Sequence, residues 1–217
     1  MSPSGDGVAE NLEKATRPYR LRQRGVSMEE TRTRVLSAAR ELILSDDALT
    51  QFSMEAVSKL AGVTRVTVYQ RFGSKRGLLE ALFDEMGERG ALMEKIPAAL
   101  SRPRPQDAIQ AYILVFCEFW EVGRAMNRRL RAFAALDKEF AEAIEARYER
   151  RHRSWNVLMA RLGNYTDEPV SEETMSTLLA LSGFEFYDVL AGESRAPEEV
   201  ASTIYRLVMA ELKVRVQ

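Results

Sequence analysis

Between Ser53 and Lys75 the chain reads SMEAVSKLAGVTRVTVYQRFGSK, two short helical patterns separated by a single glycine. Few folds accommodate that segment. Ser53 is placed to accept from the free amides that open a helix, and Glu55 stands near the positive end of the same helix. Gly62 falls where the first pattern stops, a place that suits a residue free to adopt positive φ. Thr64 repeats the capping chemistry for a second helix. Val57, Leu60, Val63, Val68 and Phe72 supply apolar contacts to lock the two helices together. That leaves Thr64, Arg65, Thr67, Gln70 and Arg71 to face outward. The alternative is an amphipathic hairpin with solvated charges, but a helix that only packs needs no such polar set.

The remainder reads as helix nearly throughout. Ser27 with Glu30 forms a capping box, and Val35, Ala39, Leu42 and Ile43 recur at helical spacing until SDD ends the run. Ser74 is expected to cap a helix running through LLEALFDEM. Beyond Pro97 the spacing predicts helices at about 105–121, 124–135, 137–163, 170–191 and 197–215, with breaks at SRPRP and GNYTDEP. Pro197, Glu198 and Glu199 form a helix start. Since no period-2 run interrupts them, the fold class is all-α. The expected organisation is a flexible basic arm over 1–26, a helix-turn-helix domain over 27–88 with its motif at 53–72, and a helical domain over 89–217.

Composition narrows the function classes. The single Cys117 excludes an internal disulfide or a cysteine-based zinc site. The longest apolar stretch, AYILVFC, stops at Glu118, well short of the ~18 residues a membrane span needs. The opening MSPSGDGVAENLEK lacks a signal-like apolar core and reads as a disordered tail, so a cytoplasmic protein is expected. From Lys14 to Arg76 the charge is +7, and the rest of the chain carries −8 to reach the total of −1. A basic module followed by an acidic one fits nucleic-acid binding at the N-terminal end.

A recognition helix in the major groove reads bases mainly from its N-terminal residues. Arg65 there can bond a guanine, and Thr67 a thymine methyl or a phosphate. Tyr69, Arg71 and Lys75 suit phosphate oxygens, with Gln70 beside them and Ser53 at the start of the preceding helix. The four arginines of RPYRLRQRG, Arg17 to Gly25, are suited to a narrow minor groove, or simply to a soluble tail.

AAREL in the first helix, FSMEAVSKLAGV through the turn, then TxxTVYxxF and SKxxLL closely resemble the DNA-binding domain of TetR-type transcriptional regulators. The likeness covers about a quarter of the chain. It departs at Ala48 and Leu49, where family members often carry Gly and an aromatic residue, at the bulky Val66, and at Arg71, which is commonly His. The resemblance implies a transcriptional regulator, most simply a repressor released from a double-stranded palindromic operator by a small hydrophobic or amphipathic effector. It implies no enzyme activity, cofactor or metal. A ligand-independent regulator, an activator, or a ligand-binding or catalytic bundle with a vestigial reader are the alternatives.

A two-fold operator calls for a homodimer. The apolar helices expected near 170–191 and 197–215 offer Leu178, Leu181, Tyr187, Ile204, Leu207 and Val208 as its interface. By the same resemblance an effector pocket would lie among Tyr112, Phe116, Trp120, Met126, Phe133, Trp155, Met159 and Phe184. Arg128, Arg129, Arg131, Arg147, Arg150, Arg151 and Arg153 alternate with glutamates and read as salt-bridged, solvated faces rather than an anion site. Glu149-x-x-His152 has the spacing of half a di-iron motif, but such sites need it twice, and His152 is the chain's one histidine.

Overall fold

The computed structural model describes residues 28–163 and 170–212. The expected arm over 1–26, the Ser27 cap and most of GNYTDEP lie outside the described residues. All regular structure among those residues is helical. The chain divides into two compact units, Met1–Ser74 and Lys75–Gln217, so the division falls ahead of the boundary expected at residue 88.

The first unit holds α1 (28–44), α2 (Ala48–Gln51), α3 (Met54–Leu60) and α4 (Arg65–Phe72). Val35, Ala39 and Ile43 of the expected stripe of α1 are buried, Leu36 is buried beside them, and Leu42 is half-buried. The single turn α2 was not anticipated. It is closed by Gln51 N on the Asp47 carbonyl at 3.1 Å and Phe52 N on Ala48 at 3.0 Å, with Ala48 fully buried.

The second unit comprises α5 (Lys75–Arg89), α6 (Leu92–Leu100), α7 (Pro105–Val122), α8 (Arg124–Ala134), α9 (Lys138–Leu162), α10 (Glu172–Leu181), α11 (Phe184–Ala191) and α12 (Pro197–Glu211). Central to it is α7, which packs against α6, α9, α11 and α12. Ile109, Tyr112, Ile113, Phe116, Cys117 and Trp120 supply its buried face. The spans of α7, α8 and α9 agree with expectation to within a residue at each end.

Two elements differ. The helix α6 is not among those expected from the spacing, and it carries Pro97 in its interior. Pro97 cannot donate to the Met93 carbonyl, a loss least costly on an exposed face, and Met93 is 82% exposed. Arg161 then donates to the carbonyls of Leu100, Arg102 and Pro103 at the end of that helix. The helix expected over 170–191 is broken at Ser182–Gly183. Ser182 Oγ turns back to the Leu178 carbonyl at 2.8 Å, and Gly183 takes an extended backbone, φ −76° and ψ 161°, before α11 starts.

Candidate functional sites

The helix-turn-helix is assembled by the side chains that sequence singled out. Ser53 Oγ accepts from Ala56 N at 3.1 Å, opening α3. In the turn, Val63 N donates to the Ser58 carbonyl at 3.0 Å, and Gly62 takes φ +65°. A Cβ there meets nothing within 4 Å, so the demand for glycine is conformational rather than steric. Thr64 Oγ1 accepts from Thr67 N at 3.1 Å and lies 2.9 Å from Thr67 Oγ1. Val57 and Val68 are fully buried where α3 meets α4, and Val63 and Phe72 partly so. Leu60 is 46% exposed and does not join that lock. It is the last residue of α3, where the chain turns, and Ala61 takes the buried place.

With Val68 inward, α4 presents Thr64, Arg65, Val66, Tyr69 and Gln70 outward, with Thr67 and Arg71 half-buried. Arg65 reaches along the helix, its Cζ 5.4 Å from the Tyr69 ring centroid and its Nη2 3.5 Å from the phenol oxygen. That hydrogen bond raises the Arg65 pKa above its ordinary value, keeping the group cationic. Val66 is 63% exposed. The arrangement can offer hydrogen-bond donors and acceptors, a methyl-sized apolar patch and two cations to one groove.

Lys75, expected at a phosphate, lies in the second unit with its ammonium on the Asp137 carboxylate and 5.1 Å from the Phe140 ring centroid. Beside it Arg76 N donates to Glu139 at 2.8 Å and Arg76 Nη1 to Glu142 at 3.1 Å. The start of α5 is thus held by the start of α9. Asp137 also caps α9, accepting from Glu139 N and Phe140 N at 2.9 and 3.4 Å.

Six of the eight expected pocket residues share one core: Tyr112, Phe116, Trp120, Trp155, Met159 and Phe184. Trp120 donates to the Ser182 carbonyl at 3.2 Å and Trp155 to the Ser182 hydroxyl at 3.0 Å, so both indoles are anchored at the α10–α11 break. Met126 and Phe133 are buried outside that cluster. Phe133 stacks on Phe140 at 4.5 Å. The Cys117 thiol is buried and its pKa is pushed up to about 12 by desolvation, which leaves it unreactive.

Of the expected interface residues, Leu178, Tyr187, Ile204 and Val208 are buried within their own chain. Leu181 is half-buried and Leu207 is 41% exposed. Several arginines do form the ion pairs expected of them: Arg128 with Asp188, Arg131 with Glu185, Arg150 with Asp84; Arg124, outside that set, joins Arg128 on Asp188. Two do not lie on a solvated face. Among the described residues Arg147 has Nε and Nη1 shielded from water with no partner, although its Nη2 meets Asp84 at 2.9 Å, and Arg151 has a shielded Nε with none. The signal was present in the spacing, because Phe140, Ala143, Arg147, Arg151, Trp155, Leu158 and Leu162 fall on one helical stripe. His152 lies beside Asn156, and among the described residues no group of three metal-ligating side chains gathers. No described helix is long and apolar enough to cross a membrane.

Residues 35–82 match the model of the bacterial regulatory proteins of the tetR family. No curated protein matches the chain by sequence. Solved structures share its fold. NalD, described as the secondary repressor of the MexAB-OprM multidrug efflux pump in Pseudomonas aeruginosa, is 23% identical, with a TM-score of 0.64 over 87% of this chain and 98% of its own. A TetR-like transcriptional regulator from Rhodococcus sp. is 18% identical, with a TM-score of 0.60 over 85% and 97%. A TetR/AcrR-family regulator from Thermobifida fusca is 20% identical, with a TM-score of 0.55 over 82% and 96%. Residues 35–82 thus form a DNA-binding domain of the tetR type, and the fold of the chain is that of the TetR-family structures above.

Proposed function

We propose that the chain is a cytoplasmic, homodimeric repressor that reads a palindromic operator with α4 and is released by a small hydrophobic or amphipathic effector bound in its C-terminal unit. The observation that supports this best is the outward set on α4. Thr64, Arg65, Thr67, Tyr69, Gln70 and Arg71 stand on a helix whose opposite side is fixed by buried Val68. Arg65 and Thr67 occupy its first turn, from which base edges are read. Two copies are needed because a two-fold site presents two half-sites, about 34–36 Å apart or multiples of that. Leu181 and Leu207 retain the apolar surface for such pairing.

Release follows from the tethering of α5. Lys75 and Arg76 follow directly on the end of the reading motif and are held by Asp137, Glu139 and Glu142. An effector that displaces α9 moves that attachment, and by linkage an operator that favours one α9 position weakens the effector equally.

The test is selection of genomic fragments by the intact protein, followed by footprinting and stoichiometry. The reading expects one two-fold sequence protected by two chains. Retention of fragments without a shared sequence contradicts it.

A further inference from the structure

Arg151 is a cation with no ion-paired carboxylate among the described residues, and Glu185 acts on it only through space. It lies on the inward stripe of α9. Its Nη2 reaches the Leu179 carbonyl only at 3.5 Å, and its shielded Nε has no partner. Among the described residues no carboxylate pairs with it, whereas neighbouring Arg131 has Glu185. Desolvation, the largest influence on it, lowers its pKa. A guanidinium withdrawn from water without a carboxylate paired to it is costly, so an anion gains by meeting it.

Its surroundings describe the rest of such a molecule. The Arg151 Cζ lies 5.8 Å from the Trp120 ring centroid and 5.6 Å from that of Tyr148. Arg131 approaches Trp120 to 5.8 Å and Phe184 to 4.6 Å. Two guanidinium groups therefore meet the same indole, with further aromatic rings beside it. The partner of Arg131, Glu185, exposes 70% of its side chain, so a competing anion can displace it.

We infer that this cluster binds an aromatic small molecule through its acidic head, a carboxylate or sulfonate taken by Arg151 and Arg131 with the ring system against Trp120, Phe184 and Tyr148. The inference narrows the effector reading above and rests on it only for the consequence at the operator. A plain structural role for Arg151 would be to meet the carbonyl end of α10 through Leu179, where a cation is favourable.

The probes are 8-anilinonaphthalene-1-sulfonate and its neutral counterpart N-phenyl-1-naphthylamine, titrated into the full-length protein without DNA. The readout is quenching of Trp120 and Trp155, the chain's two tryptophans. The sulfonate is expected to bind saturably, one per chain, and about ten- to a hundredfold tighter than the neutral amine, the range for a charged hydrogen bond. Arg151→Met removes that margin, Arg151→Lys restores part of it, and Arg153→Met on the exposed side leaves it unchanged. Equal affinity of the two probes for the wild-type protein overturns the inference, and needs no variant to fold. So does an absence of saturable sulfonate binding, or an Arg151→Met protein that melts lower yet binds the sulfonate as before, the signature of the structural role alone. Failure of operator binding would refute the proposed function and leave this readout intact.

Discussion

Replacing Asp137 by alanine removes two interactions at once, and the structure allows them to be separated. One carboxylate oxygen caps α9 by accepting from Glu139 N and Phe140 N, and the other takes the Lys75 ammonium. Losing an N-cap costs about 1 kcal/mol. The ion pair leaves 21% of the Lys75 side chain and 31% of that of Asp137 exposed, and adds at most about 1 kcal/mol. Asp137→Ala is therefore expected to lose about 2 kcal/mol, and Asp137→Asn, which keeps an acceptor for the cap, less than about half of that. Burial, the largest influence on the Asp137 carboxyl, pushes its pKa up. The Lys75 hydrogen bond and charge, with the two amides, outweigh that push and hold it below its ordinary value. A depressed folded-state pKa gives stability that is fully present above the unfolded value near 4 and is lost as pH falls through the folded one. Urea titrations followed by helical circular dichroism, at one chain concentration between about pH 5 and 3, should show wild type losing more stability than the asparagine variant. If asparagine is as damaging as alanine, or both proteins share one acid slope, the division between cap and ion pair is wrong.

Ser182→Ala should cost about 1–3 kcal/mol in the same titration, because it strands the Trp155 N–H in a buried site while the Leu178 carbonyl keeps the Ser182 backbone amide. Thr64→Ala should destabilise the protein by about 1 kcal/mol through the lost α4 cap, and weaken DNA binding in an anisotropy titration. Val66→Ala should leave stability within about 0.5 kcal/mol, since the side chain is 63% exposed. If Val66 meets a thymine methyl, competition with operators altered one base pair at a time will show relaxed preference at one position.

The reading motif was legible because its chemistry is local. Ser53 and Thr64 cap within three residues of themselves, and Gly62 supplies a conformation that its own backbone demands. The helical unit was legible only where stripes are long, as on α7. The helix α6 has no such stripe, and its tolerance of Pro97 depends on the exposed position of Met93 and not on the proline itself. The break at Ser182–Gly183 arises from a hydroxyl that serves both a helix end and a tryptophan from α9, a pairing that no local pattern encodes. Arg151 was misread because glutamates surround it in sequence. The stripe it shares with Trp155 and Leu158 was the better guide, since burial follows helical phase rather than neighbouring charge.

The proposed repressor reads bases with α4, and Arg65 is one of its readers. The most direct test is the affinity of wild type and Arg65→Ala for the selected operator and for a scrambled duplex of equal length, across a range of salt. A base-reading arginine should cost about 1–3 kcal/mol on the operator while affinity for the scrambled duplex and the salt slope stay nearly unchanged. Equal loss on both duplexes, with a slope shallower by about one unit, would make Arg65 a phosphate contact and contradict the assignment of base reading to the first turn of α4.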